Sequence, residues 1–475
     1  APTILRAGAC RLHVLDREGR LFVRVRDESA SGRAHPPRIE RYPYDPAWRI
    51  FAAFEPVHEP MAVPLRIGVV TQETAGGIAR FRHDGHELAL RLQEGSAPDR
   101  WFVVFGDATN GTETYGAGRF LEARRDADDP SRVVLTGGAT ASLNMAINGV
   151  ALAASRRDNR ARRRPLFVTT QVEHNAVRRP LLALAERGEI DLRIVTADSH
   201  GRVEAGAIVE AARDAELVAM AWASNVTGAI MPVEAVGRAL AETDTLLLVD
   251  GSQAVGVVGP TRSLRELGVD LLAFSGHKAL HGPAGVGALY IGPNAHPLRA
   301  RRGASGRIAP WLVGGTGGES TAAAMPADLP TRFEAGTRAT ALHAGLLAAV
   351  GDRDGAGDPI GHARRLRAMI VDGLAALGPR VRVVGEADAS QCVGVCSFTV
   401  EGFAPDEAAV VLESEFGIIA RAGLHCAPGA HEALGTLQTG GTVRASVGTT
   451  TTESDVRALV DAVGVMAGVG SRAGA

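Results

Sequence analysis

Apolar positions along this 475-residue chain change their period twice. From residue 11 to about 123 they alternate with polar ones. Leu12 and Val14, then Leu21, Val23 and Val25, flank Arg17-Glu18-Gly19, and residues 78–92 alternate around His83-Asp84-Gly85-His86. Period-two alternation interrupted by Asp-Gly predicts half-buried strands joined by tight hairpins. After residue 129 the apolar residues gather into short continuous runs: 132–136, 166–170, 217–222, 246–250 and 271–275. Such runs predict parallel strands buried on both faces. Helices are expected between them, over 141–154 and near 264–267. Beyond residue 350 the pattern mixes, with helices over 361–377 and 406–416 and strands over 381–384, 395–400 and 442–447. Thr452-Glu453-Ser454-Asp455 reads as a capping box opening a last helix to about residue 465. The chain is too long for one compact core. It reads as α/β, with a β-rich module at 1–123, a large α/β domain at 129–350 and a small α+β domain at 351–475.

Composition narrows the classes. With 45% hydrophobic residues and 57 glycines the chain is expected to be soluble and globular, and a net charge of -2 gives no reason to expect a nucleic-acid or membrane partner. Six arginines fall between Arg156 and Arg164, but without interleaved aromatics they read as a solvated loop. No apolar run approaches the roughly 18 residues that span a bilayer, and no signal-peptide layout is present. The start at Ala1 implies processing or trimming. Four cysteines scattered over this length are no disulfide framework, so a reducing, cytoplasmic setting is expected. Cys392 and Cys396, on one side of a strand-like run, read as buried hydrophobes. His83 and His86 lack further ligands, and no metal site is expected.

The candidate chemistry sits at strand ends. The run Leu271–Ser275 continues as Gly276-His277-Lys278 and then breaks on Gly282-Pro283-Ala284-Gly285. This delivers a lysine to the carboxyl edge of a sheet, where ligands of open α/β folds bind. There an amine can form a Schiff base with a carbonyl cofactor such as pyridoxal phosphate (PLP), while Ser275 and His277 hold a phosphate. A surface lysine is the alternative, and the rest of the chain decides. Asp250 ends another buried strand, which is costly unless a cation such as a protonated pyridine nitrogen faces it; a helix cap is equally open. Gly137-Gly138-Ala139-Thr140 joins a strand to a helix and forms a ready anion site. His174, just past a strand, suits the face of a flat ring or a structural hydrogen bond. In the β-rich module, Asp107, Thr109, Glu113 and Arg119 line a polar site or, as the density of Gly and Asn favours, shape a turn.

Six stretches then act together: Glu173-His174-Asn175, Ser224-Asn225-Val226-Thr227-Gly228, Asp250-Gly251-Ser252-Gln253, Ser275-Gly276-His277-Lys278, Glu334-Ala335-Gly336-Thr337 and Arg421-Ala422-Gly423-Leu424-His425-Cys426. In this order they resemble class V aminotransferase-fold enzymes, most closely the cysteine desulfurase and selenocysteine lyase branch, over about residues 129–466. The resemblance implies a PLP-dependent fold type I enzyme, with a mostly parallel sheet in its large domain. Lys278 would carry the cofactor and move protons, Asp250 would face the pyridine nitrogen, Gln253 the ring hydroxyl, and His174 would stack on the ring. Ala139, Thr140, Ser275 and His277 would hold the phosphate, with Thr337 reaching in from the second subunit of a homodimer. Asn225 and Arg444 would meet the substrate carboxylate, with Arg421 nearby. Cys426 would take sulfur from L-cysteine as a persulfide and pass it to an acceptor protein. It lies in a Gly/Pro-rich stretch, 423–441, long enough for a mobile loop. Another PLP-dependent aminotransferase, a selenocysteine lyase, an epimerase and a catalytically impaired scaffold are the other readings.

Two departures stand out. The β-rich module occupies the place of the family's usual entry segment, and Arg338-Ala339-Thr340 follows Thr337 without the usual Asn. Residues 105–121 and Tyr44-Asp45-Pro46-Ala47-Trp48-Arg49 resemble a bacterial domain family of unknown function, over roughly 11–123.

Overall fold

A computed structural model describes eight strands within residues 4–124, and residues 130–157, 164–258, 263–296, 306–318, 321–352 and 357–469. The Tyr44 to Arg49 motif, Asp107, Thr109, Glu113, the Asp84-Gly85 turn and most of the arginine run lie outside the described residues, as do the side chains of His83, His86 and Arg119. The chain divides into two compact units, 1–123 and 124–475.

In the first unit, Ile4–Ala7, Cys10–Arg17 and Arg20–Asp27 form a three-stranded sheet. Ala53–Pro64, Val70–His83, His86–Glu94, Arg100–Phe105 and Arg119–Arg124 form a five-stranded sheet in chain order. Arg17 pairs with Arg20 and His83 with His86, so both antiparallel pairings close where the alternation breaks.

The second unit holds a seven-stranded sheet in the order Asp191–Val195, Leu166–Thr170, Ala215–Ala221, Leu246–Asp250, Leu271–Ser275, Gly287–Ile291, Val133–Thr136. Only Gly287–Ile291 runs against the rest. Leu246 and Leu248 enter the core on one face while Leu247 and Val249 enter the core on the other, so the run must be continuously apolar. Helix Ala139–Arg157 covers one face with Leu143, Ala146, Ile147 and Val150. The stretch expected to be helical near 264–267 is instead a pair of turns, Leu267 N–H to Ser263 O and Gly268 N–H to Arg265 O. Gly268, at φ +68°, ends it. A Cβ there would lie 2.3 Å from Gly237 O, so this close approach requires glycine.

A four-stranded antiparallel sheet follows, ordered Val381–Val384, Val395–Val400, Thr442–Ser446, Arg421–Gly423. Helices Pro359–Ala376, Pro405–Phe416 and Glu453–Met466 pack on it through Leu366, Ile370, Leu412, Leu459 and Val463. Thr452 and Asp455 form the expected capping box. Cys396 lies in the strand, but Cys392 ends a 3-10 turn before it and bridges to Ala229, so the two do not share a strand face. Burial pushes both thiols up to about 11. The fully buried Arg367 donates to Val395 O and Thr227 O, and Ser397 Oγ donates to Val226 O at 2.6 Å. These bonds fasten the small sheet to the 224–228 loop and so set the position of Asn225.

Candidate active site

Because six strands of the large sheet run one way, the ends after Thr136, Thr170, Ala221, Asp250 and Ser275 converge on one edge. A cavity of about 240 Å³ opens there, lined by Ala139, Thr140, His174, Asn225, Asp250, Gln253, Ser275, His277, Lys278, Arg421 and Arg444 together with Ser252 and Ala223. A more open depression of about 420 Å³ between Ala205–Ala211 and Val233–Leu240 lies away from these strand ends.

One end of the cavity is an anion cradle. The first amides of helix Ala139–Arg157 have no acceptor within the helix. Ala139 N–H instead meets Ser275 Oγ at 3.1 Å, which joins the cradle to the lysine-bearing strand end. The approach is possible because Gly287 has no side chain: a Cβ there would lie 2.3 Å from Phe274 O and 2.7 Å from Gly138 Cα. Thr140 and His277 are exposed at its mouth.

The middle of the cavity carries the titratable groups. Asp250 is 6% exposed, and its Oδ1 accepts from Ser252 N–H at 3.0 Å. Burial pulls the Lys278 ammonium below its ordinary value, with Asp250 opposing and Arg444 and Arg421 reinforcing. His174 caps helix Asn175–Glu186, its Nδ1 accepting from Ala176 N–H at 3.0 Å. Burial also lowers this ring's pKa, and with Nδ1 occupied as an acceptor the neutral tautomer carries its proton on Nε2.

Glu173 is the residue to which the sequence assigned no role. It is fully buried beneath the edge, Oε1 accepting from Thr170 Oγ1 at 2.5 Å and from Ala221 N–H at 3.1 Å. Burial, aided by the Asp250 charge, pushes it up to about 8. It therefore ties two strand ends together as a neutral acid. Between pH 4.5 and 8 the folded chain keeps this proton while the unfolded chain releases it, so stability falls as pH rises through that window, by about 1.4 kcal/mol per pH unit at most. Glu173→Gln, isosteric with the neutral acid, is expected to gain stability over the parent at pH 8 but not at pH 4.5. Thermal unfolding at the two pH values measures this, and an equal difference at both refutes it.

At the far end stand two guanidinium groups. Burial and the neighbouring Arg421 pull Arg444 down to about 10, and its Nη1 donates to Asn225 O at 2.9 Å. Two cations here favour a carboxylate ligand. Cys426 does not line the cavity; its Sγ sits 3.4 Å from Arg421 Nη2, at the rim. The stretch expected to be a mobile loop is a built corner. Cys426 O accepts from Asn175 N–H at 2.7 Å, helix Pro428–Ala433 follows at once, and Ala427, Ala430 and His431 are fully buried. Glycine and proline here shape turns instead of loosening the backbone. Thr337 is exposed and outside the cavity. Its segment is held by Glu334, which accepts from Leu135 N–H at 2.9 Å and pairs with Arg338 at 2.6 Å.

Among 51 basic side chains Lys278 is the only lysine of the chain. Arginine serves every solvated and structural role, but it stays protonated and offers no amine nucleophile.

The profile of the aminotransferase class-V family matches residues 122–459. A family described as a protein of unknown function (DUF1684) matches residues 37–150, so its span runs into helix Ala139–Arg157. A probable cysteine desulfurase of Methanothermobacter thermautotrophicus is 30% identical over 361 residues, 74% of this chain and 82% of the relative. A second, probable cysteine desulfurase 2 of Mycobacterium leprae, is 32% identical over 416 residues, 81% of this chain and 93% of that one. Among solved structures, the cysteine desulfurase CsdA (S-sulfonic acid) of Escherichia coli matches with a TM-score of 0.61 at 28% identity, covering 71% of this chain and 79% of that one. With the family profile matched over residues 122–459 and two relatives at 30% identity or more over most of the chain, this chain belongs to the aminotransferase class-V family.

Proposed function

We propose that this protein is a PLP-dependent cysteine desulfurase that converts L-cysteine to L-alanine and retains the sulfur on Cys426 as a persulfide. The observation that carries this reading is a thiol at the rim of a cavity that also holds the chain's single lysine and a carboxylate subsite. The donor set fits the cofactor. A helix N-terminus with Ser275, Thr140 and His277 suits its phosphate, the buried Asp250 its pyridine nitrogen, Gln253 its ring hydroxyl, and His174 its ring face. When bound, PLP supplies an electron sink for the substrate carbon.

The chain's own groups do the rest. Asn225 and Arg444 hold the substrate carboxylate, with Arg421 adding charge. Lys278, its ammonium destabilised by burial, takes and returns protons at Nζ. His174, neutral, presents the Nε2 proton. The Cys426 sulfur attacks the substrate sulfur; an S–S bond forms as the substrate C–S bond breaks, and the carbon takes the electron pair and a proton to become the methyl of alanine. Sulfur is transferred without an external oxidant.

Product stoichiometry tests the reading. Protein loaded with PLP and given L-cysteine should yield one alanine for each sulfur released to an added thiol. Accumulation of a keto acid or of D-cysteine in place of alanine rejects it. A homodimer accompanies the proposal. Trp311, Val313 and Leu347 are 53%, 66% and 75% exposed, apolar side chains that a second copy would cover while its Thr337 completes the cradle. A monomer mass in sedimentation removes that part. No described helix is long and apolar enough to cross a membrane. Chemistry on a free thiol suits a reducing, cytoplasmic setting, and a sulfur-acceptor protein would unload Cys426.

A further inference from the structure

His425 and Cys426 are the only adjacent non-glycine residues with positive φ among the described residues, at 50° and 60°. That backbone region is disfavoured for any residue with a Cβ and persists where surrounding contacts over-determine it. Three bonds hold this corner from three directions. Asn225 Nδ2 donates to His425 O at 2.6 Å, Asn175 N–H donates to Cys426 O at 2.7 Å, and His425 Nε2 meets Thr442 Oγ1 at 3.0 Å.

Each partner belongs to an element that also faces the cavity. Asn225 lines it, Asn175 follows His174, and Thr442 stands two residues before Arg444 on one strand. His425 is 2% exposed, with the His431 ring centroid 5.5 Å away. Burial, with Arg444 and His431, holds its imidazole down at about 3, so the ring stays neutral beside the two guanidinium groups. An amide nitrogen carries two protons. Asn225 commits one to His425 O, which leaves the other for a further acceptor.

We propose that His425 is a positioning residue that fixes the Cys426 thiol, and that its bond from Asn225 couples thiol placement to occupancy of the carboxylate subsite. This rests on the desulfurase reading. The test uses the full chain loaded with PLP, L-alanine as the non-reacting carboxylate, and iodoacetamide as the thiol probe, read at the Cys426 peptide by mass spectrometry. Alanine occupancy is followed separately through the cofactor's absorbance.

In the parent protein, saturating alanine should change the Cys426 alkylation rate by about fivefold or more. Thr442→Val removes the hydroxyl that holds the His425 ring. It should bind alanine within about twofold of the parent yet lose the alanine-dependent change in alkylation, with kcat for cysteine down about tenfold and KM nearly unmoved. Thr442→Ser should restore the response. His425→Asn, which tolerates positive φ, should behave like Thr442→Val. The link is overturned if alanine leaves the parent's alkylation rate unchanged, or if Thr442→Val keeps the full response at equal alanine occupancy. Absence of any absorbance change with alanine in the parent overturns the desulfurase reading, and the link with it.

Discussion

Replacing Lys278 with alanine is expected to remove the visible absorbance band of protein loaded with PLP and to lower alanine formation from cysteine by about 10³-fold or more. Two effects combine. Under the proposed function the variant loses both the amine that would attach the cofactor and the base that would move protons. Burial of Lys278 favours the neutral amine that attachment needs, while Asp250 limits the shift. Because the chain has no other lysine, the alternative of attachment elsewhere is closed except at the terminal amine. Borohydride reduction of the loaded parent, followed by peptide mapping, should place the pyridoxyl mass on Lys278. A band that survives the substitution sinks the cofactor assignment.

Replacing Cys426 with alanine is expected to leave that band intact and to reduce sulfur release from cysteine by about 10³-fold, because among the described residues no other group at the rim can accept sulfur. Cys392 and Cys396 do not substitute. Both are buried, and their thiols stand at about 11. Arg421 holds its guanidinium 3.4 Å from the Cys426 Sγ. Alanine and sulfide formation at the parent's rate would end the persulfide role and favour a lyase. Taken with the first substitution, this one separates cofactor attachment from sulfur transfer.

Much of the site was legible because it lies where strands stop. The continuous apolar runs marked buried parallel strands, and residues just past their ends, such as Lys278 and His174, fall on one edge by topology alone. Asp250 carried less local information. A carboxylate at a strand end serves as a cap or as a cation's partner, and its burial beside Ser252, Lys278 and His174, which bears on that choice, is visible only in the fold. Glu173 looked like an ordinary acid before a histidine; its charge state follows from complete burial, which no periodicity reports. The segment around Cys426 misled for a related reason. Glycine and proline signal irregular backbone, yet irregular backbone is rigid wherever tertiary hydrogen bonds satisfy it.

The sequence by itself determined most of the element types, the strand ends that carry the site and the chemical inventory presented there, because side-chain period and residue type are local properties. Only the tertiary structure decided which groups are desolvated, that Cys426 stands on a fixed corner, and that Asn225 reaches His425 across 200 positions of chain. Those outcomes depend on burial and on hydrogen bonds between distant segments. A donor's partner is set by which surfaces pack together, and that information resides in no single stretch of residues.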